Sequence, residues 1–238
     1  MKPLSSSLAV LIDADNVPPS RITAVLAEVA RFGTAAVKRV YGDWTTTQLN
    51  SWKTAANEHV IQPMQQFAHT KGKNSTDSAL IIDAMDLLYT GRFQGFCIVS
   101  SDSDFTRLAS RIREQGITVY GFGERKTPAS FRNACDQFTY LDILGAADTA
   151  VVSPEPPRTQ VKEDVRLVEG LRSSVRSASS DDGWASLATV GQLLRKWQPD
   201  FDSRNWGYAK PSEIVHATDQ FLVEPTATGH RVRVSAES

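Results

Sequence analysis

Histidine and cysteine are scarce in this chain, with four and two among 238 residues. The histidines are scattered, so no His/Cys zinc site is legible. Cys97 and Cys135 lie in apolar contexts (FCIV and NACDQF) without CxxC spacing. Two buried thiols of that kind point to a reducing compartment, and the cytoplasm is the expected location. No apolar run approaches the length of a membrane span. The opening MKPLSSSLAVLI has one Lys and a short apolar run that leads into acidic residues without a cleavage pattern. It reads as a first strand, not as a signal peptide, and no membrane partner is expected. A large charge excess is missing as well: 26 Lys and Arg against 27 Asp and Glu give a formal charge of −1. That excludes a protein that coats nucleic acid by bulk charge, but not one with a local basic groove. Internal repeats and low-complexity tracts are absent too.

What is present is an alternation of apolar strands and amphipathic helices. LAVLI (8–12) reads as a strand buried on both faces, followed by Pro18-Pro19 and a helix carrying Ile22, Val25, Leu26 and Val29 up to Gly33. AAVKRVYG (35–42) is a second strand, and a helix near 45–57 places Leu49, Trp52 and Ala56 on one face. VIQPMQ (60–65) is a short strand whose Pro suggests a sheet edge. A long helix over 75–90 ends at Gly91, and GFCIVS (95–100) is strongly apolar. The helix over 104–115 buries Phe105, Leu108, Ala109 and Ile112. ITVYGFG (117–123) is the next strand, and Thr127-Pro128 has the form of an N-cap and first helical residue. QFTYLDIL (137–144) reads either as a last strand or as a docking segment. This order predicts an α/β fold with a parallel sheet and helices on both faces, whose ligands bind at the C-terminal strand edge.

Composition changes at 146–160 (AADTAVVSPEPPRTQ), where three prolines and few large apolar residues predict a linker between a domain over 1–145 and a second over 161–238. In the second, Val161, Val165, Val168, Leu171 and Val175 mark a helix. Helices over 187–197 and 210–217 follow, and then FLVE and HRVRV as a hairpin. Three helices and a two-stranded wing predict a small winged-helix domain.

The stretch IVSSDSDF (98–105) sets two carboxylates, Asp102 and Asp104, directly after one apolar strand. Asp13 directly follows another, and Asp77 lies in the first turn of the 75–90 helix. In a parallel sheet all four reach the same edge. Converging carboxylates repel one another, and a hard divalent cation such as Mg²⁺ or Mn²⁺ relieves the repulsion. Two such ions can activate water and stabilise the leaving oxygen of a phosphodiester. Asn16 can orient a water or phosphate oxygen, and Ser100, Ser101 and Ser103 add hydroxyls. Taken singly, Asp104 could be only an N-cap and Asp77 only a first-turn acid; Asp13 and Asp102, each ending a buried strand, favour the metal site. Asp15 is ambiguous, and Asp83 and Asp86 read as structural, with Asp83 a candidate support for the ligands. Lys71, Lys73, Arg125, Lys126 and Arg132 either grip phosphates or form solvated basic loops, and their placement leaves both readings open.

At IDADN, KNSTDSALIIDAMDLLYTG, IVSSDSDF and GFGERKTPASFRNACDQF the chain strongly resembles the NYN domain family, in particular its LabA-like branch, over roughly residues 6–145. The resemblance implies a PIN-like sheet of order 3-2-1-4-5. It also implies a Mg²⁺ or Mn²⁺ site at Asp13, Asp77, Asp102 and Asp104, with Asn16 at the family's Asn after the first strand. Many relatives are metal-dependent ribonucleases; others have no shown activity. Ala14-Asp15 and Ser103 stand where Gly is frequent in relatives, which removes no ligand but bears on loop geometry. GWASLATVGQLLRKWQPDFDSRNWGYAKPSEIVHAT with QFLVE and HRVRV resembles an OST-HTH (LOTUS) domain over roughly 160–238. That resemblance implies RNA, single-stranded or structured, as partner, or a protein partner. Arg204, Trp206, Tyr208 and Lys210 offer charge and aromatic surface suited to nucleotides, while Trp206 reads better as core.

The leading expectation is therefore a ribonuclease that cleaves phosphodiesters by metal-activated water, with Lys73, Ser101, Ser103, Arg125, Lys126, Arg204 and Lys210 on the substrate. The alternative is a non-catalytic RNA-binding adaptor. The DxD at Asp13 and Asp15 also admits a phosphatase of the haloacid dehalogenase type, which fits the remaining motifs less well.

Overall fold

The computed structural model describes residues 6–45, 47–66, 75–145 and 161–235. The chain divides into two compact units, Met1–Thr149 and Ala150–Ser238. The expected linker at 146–160 lies outside the described residues, as does Lys73.

The first unit contains β1 (Ser7–Asp13), α1 (Ile22–Val29), β2 (Thr34–Gly42), α2 (Asn50–Glu58), β3 (Gln62–Gln65) and α3 (Ser75–Tyr89). It continues with β4 (Gly95–Val99), α4 (Thr106–Glu114), β5 (Thr118–Gly123), α5 (Ala129–Ala134) and β6 (Gln137–Tyr140). All strand pairings are parallel, in the order β3-β2-β1-β4-β5-β6. This is the expected 3-2-1-4-5 sheet with QFTY added as a sixth strand. Pro63 sits on the edge strand β3, where its missing N–H costs least.

The period of two along β1 sorts the core into two layers. Ala9 and Leu11 join Leu80, Ala84, Phe105, Leu108 and Ile112 on the α3–α5 side. Leu8, Val10 and Ile12 join Ile22, Val25, Val29 and Trp52 on the α1–α2 side. Asp13, next in the odd series, therefore ends β1 on the face that α3 and α4 cover. β1 pairs with both β2 and β4, so the order of strands reverses there. The crevice beyond β1 and β4 is the switch point at which sheets of this type bind ligands.

Local signals account for most boundaries. α3 ends at Tyr89, and Gly91 takes φ +66°, which a side chain would disfavour. A 3₁₀ turn at Ser103–Phe105 precedes α4, and its cap is Asp102, whose side chain accepts from the Asp104 amide. The capping role thus falls to Asp102 and not to Asp104. At α5, Pro128 precedes the first helical residue, and the buried Thr127 hydroxyl donates to the Glu124 carbonyl, so Thr127 braces a turn and does not cap.

The second unit holds α6 (Val165–Ala178), β7 (Ala185–Ser186), α7 (Leu187–Trp197), α8 (Pro211–Ala217), β8 (Phe221–Thr226) and β9 (Gly229–Val234). The antiparallel sheet has the order β7-β9-β8, so the expected wing gains a short third strand. Leu167, Leu171, Val175, Leu194, Ile214, Phe221 and Val232 form its core. The helical reading of Val161 to Val175 needs correction at its start. Asp164 caps the helix by accepting from the Leu167 amide, which leaves Val161 buried ahead of it and Val165 66% exposed. Leu167 takes the buried position instead.

Candidate metal centre

Asp13 ends β1 with its carboxylate almost fully buried. Oδ1 accepts from the Asp15 amide at 3.0 Å. Oδ2 accepts from Asn16 Nδ2 at 2.8 Å and from the Ser100 hydroxyl at 2.7 Å. Ser100 Oγ in turn accepts from the Asp102 amide at 3.0 Å, and Asp102 Oδ1 accepts from the Asp104 amide at 3.0 Å. A chain of hydrogen bonds thus runs from the end of β1, across the end of β4, to the turn that presents Asp104. Burial holds the Asp13 carboxyl above its ordinary pKa, partly offset by the donors from Ser100, Asn16 and the Asp15 backbone.

Asp77 comes from the first turn of α3, on the side of Leu80 and Ala84. One carboxylate oxygen each of Asp77, Asp102 and Asp104 lie within 4.8 Å of one another. Asp77 and Asp102 are half-buried and Asp104 is exposed. The Asp77 carboxyl is pushed up to about 6, first by burial and then by the charges of Asp13, Asp102, Asp104 and Asp15. Among the described residues no Lys or Arg pairs with Asp77 or Asp102. Three hard oxygen donors that converge in this way fit Mg²⁺ or Mn²⁺. Asp13 is engaged on both oxygens by hydrogen bonds and contributes its charge to the surroundings of Asp77.

The remaining residues singled out in the sequence fall in different settings. Ser101 is buried, and its hydroxyl accepts from the Glu124 amide at 2.8 Å, joining the ends of β4 and β5. The backbones approach closely there: a Cβ on Gly123 would lie 2.6 Å from the Ser100 carbonyl oxygen. Ser103 is exposed. Arg125 pairs with Asp142 at 2.8 Å and lies over the Tyr140 ring at 4.1 Å, while Lys126 pairs with Glu124 at 2.8 Å. In the second unit, Arg204 is held by both oxygens of Asp202, at 2.9 and 2.6 Å. Lys210 is exposed at the start of α8. Trp206 packs on Phe201 and donates Nε1 to Asp164 at 3.1 Å, and Tyr208 also packs on the core. Trp206→Ala is therefore expected to destabilise the second unit by about 2–3 kcal/mol. Thermal melting would check this, and an unchanged melting temperature would remove Trp206 from the core.

Reasoning from sequence missed Arg39 and Tyr41. Both bond to Asp83 of α3, Arg39 through Nη1 to Oδ1 and Tyr41 through its hydroxyl to Oδ2. Their spacing of two along β2 places them on one face, which was the available signal. Asp86 is exposed.

A parallel α/β domain with a cluster of three aspartates at its C-terminal edge, followed by a small helical domain, is the class that these features define. The NYN domain profile matches residues 7–142, and the chain belongs to the NYN domain family. The OST-HTH/LOTUS profile matches residues 162–233. No curated protein matches the chain. Among solved structures, a protein of unknown function from Vibrio parahaemolyticus is similar at 16% identity and a TM-score of 0.50. The similarity covers 59% of this chain and 95% of that one, and it concerns the fold alone. An uncharacterised protein from Nitrosomonas europaea is 34% identical over 38% of this chain and 87% of its own, with a TM-score of 0.28. Among the described residues, no helix is long and apolar enough to cross a membrane.

Proposed function

We propose that this protein is a metal-dependent ribonuclease of the LabA-like type, with a PIN-like catalytic domain and a C-terminal module that binds RNA. The observation that carries the reading is the convergence of the Asp77, Asp102 and Asp104 oxygens, with no Lys or Arg paired to Asp77 or Asp102 among the described residues and with the charge of buried Asp13 close by. Mg²⁺ or Mn²⁺ held there would supply a polarised water for attack on the phosphodiester and neutralise charge on the leaving oxygen. Asp77, Asp102 and Asp104 would hold the ion together with Asp13, while Asn16 and Ser100, which donate to Asp13, would keep the ends of β1 and β4 in place. Ser103, exposed between Asp102 and Asp104, would contact the substrate backbone, and Arg125, Lys126 and Lys73 would supply positive charge toward it. In the second domain, Lys210 and Arg204 are the residues offered to RNA. Its OST-HTH match supports RNA as the partner. The reducing composition supports a cytoplasmic setting.

The decisive test is purified protein on single-stranded and structured RNA with Mn²⁺, Mg²⁺ or EDTA. Cleavage that requires metal supports the reading. Binding without cleavage in either metal replaces it with the adaptor. Removing residues 160–238 is expected to weaken RNA affinity about tenfold or more while changing the saturated rate little, because that module contributes binding remote from the scissile bond. Equal affinity of the full and shortened chains would assign the C-terminal domain to a protein partner.

A further inference from the structure

Asp83 lies on α3 six residues beyond Asp77, about 9 Å along the helix axis. Its two oxygens are taken by Arg39 and by the Tyr41 hydroxyl, both on β2. The Arg39 and Asp83 side chains are only 21% and 18% exposed. Tyr41 is the register partner of Asp13 on the neighbouring strand. The bonds from Asp83 therefore tie α3 to the strand position beside Asp13.

Asp77, at the start of the same helix, stands among the charges of Asp13, Asp102 and Asp104, which disfavour its ionised form. Holding that carboxylate near the others therefore depends on how α3 is fixed to the sheet. Apolar packing at Leu80, Ala84, Leu87 and Leu88 resists separation, but it is non-directional and resists sliding or rotation of the helix weakly. Charge-assisted hydrogen bonds are directional and fix both. The arrangement is not a stability optimum: among the described residues, buried Arg39 Nε has no hydrogen-bond partner. Ion pairs of low exposure can often be exchanged for apolar groups at no cost in stability. A role in stability and a role in positioning therefore predict different outcomes for the same substitution.

We propose that Arg39, Tyr41 and Asp83 form a positioning clamp that sets the Asp77 carboxylate for metal binding, a role that rests on the metal-centre reading above. None of the three touches the metal or the substrate; they act through α3. The test uses the full chain and Mn²⁺ binding followed by electron paramagnetic resonance or calorimetry, without any cleavage readout. Two variants are compared with wild type, Asp83→Asn and the apolar triple Arg39→Met, Tyr41→Phe, Asp83→Leu. The triple variant is expected to keep the circular dichroism spectrum and melting temperature of the wild type, yet bind Mn²⁺ about 10- to 100-fold more weakly. Asp83→Asn is expected to lose affinity in the same direction. A folded triple variant with wild-type Mn²⁺ affinity would overturn the proposal. If the triple variant fails to fold, Asp83→Asn decides: weakened binding supports the clamp, and wild-type affinity overturns it. Wild-type protein that binds no Mn²⁺ would overturn the metal centre itself, and that outcome needs no variant to detect.

Discussion

Asp102→Asn is expected to slow single-turnover RNA cleavage by about 100-fold or more, on the order of 3 kcal/mol of barrier, while RNA affinity stays near the wild-type value. The two roles of Asp102 make this substitution informative. Its Oδ1 caps the turn before α4 by accepting from the Asp104 amide, and its carboxylate belongs to the acidic cluster. Asn keeps an acceptor oxygen of the same shape, so the cap and the placement of Asp104 survive. What disappears is the negative charge that a hard cation requires. Loss of cleavage with retained circular dichroism, melting temperature and RNA binding would assign the effect to chemistry. Unchanged cleavage would sink the nuclease mechanism.

The second large effect is a pH dependence of metal binding. Asp77 has its pKa pushed up to about 6 by burial and by its acidic neighbours. The folded state therefore binds this proton more tightly than the unfolded chain. In the metal-free protein that contribution favours folding at low pH and is lost as pH rises from about 4 through 6. Asp13, also raised, acts with the same sign. The cation has the opposite preference, because it must displace the Asp77 proton. Mn²⁺ affinity is expected to fall about tenfold per pH unit below 6. At pH 7.5 and 100 times the dissociation constant, the ion adds about 2.7 kcal/mol of stability, which raises the melting temperature of the domain by several degrees. At pH 5 the same concentration should add much less. Asp77→Asn is expected to melt higher than wild type at pH 7.5 without metal, and to gain nothing from Mn²⁺. Metal-induced stabilisation that is equal at pH 5 and pH 7.5 would remove Asp77 from the ligand set.

The sequence by itself determined the sheet, because long apolar strands and helical spacing are local signals that survive in the chain without its fold. LAVLI and GFCIVS could only be central strands, and a parallel sheet necessarily brings Asp13 and Asp102 to one edge. Asp77 was legible as a first-turn acid of a long helix. Tertiary structure alone decided which groups meet these carboxylates. Ser100, 87 residues away in the chain, donates to Asp13, and no sequence pattern announces that bond. The same holds for Asp83, whose partners Arg39 and Tyr41 lie on a strand 44 and 42 residues earlier. In the second domain, Arg204 looked like a nucleotide contact by composition, and the fold turned it toward Asp202. Trp206 read as core, and it packs on Phe201 with its Nε1 donating to Asp164. Residue type and spacing specify which groups reach an edge; which groups there meet one another depends on contacts between distant segments, and those exist only once the chain has packed.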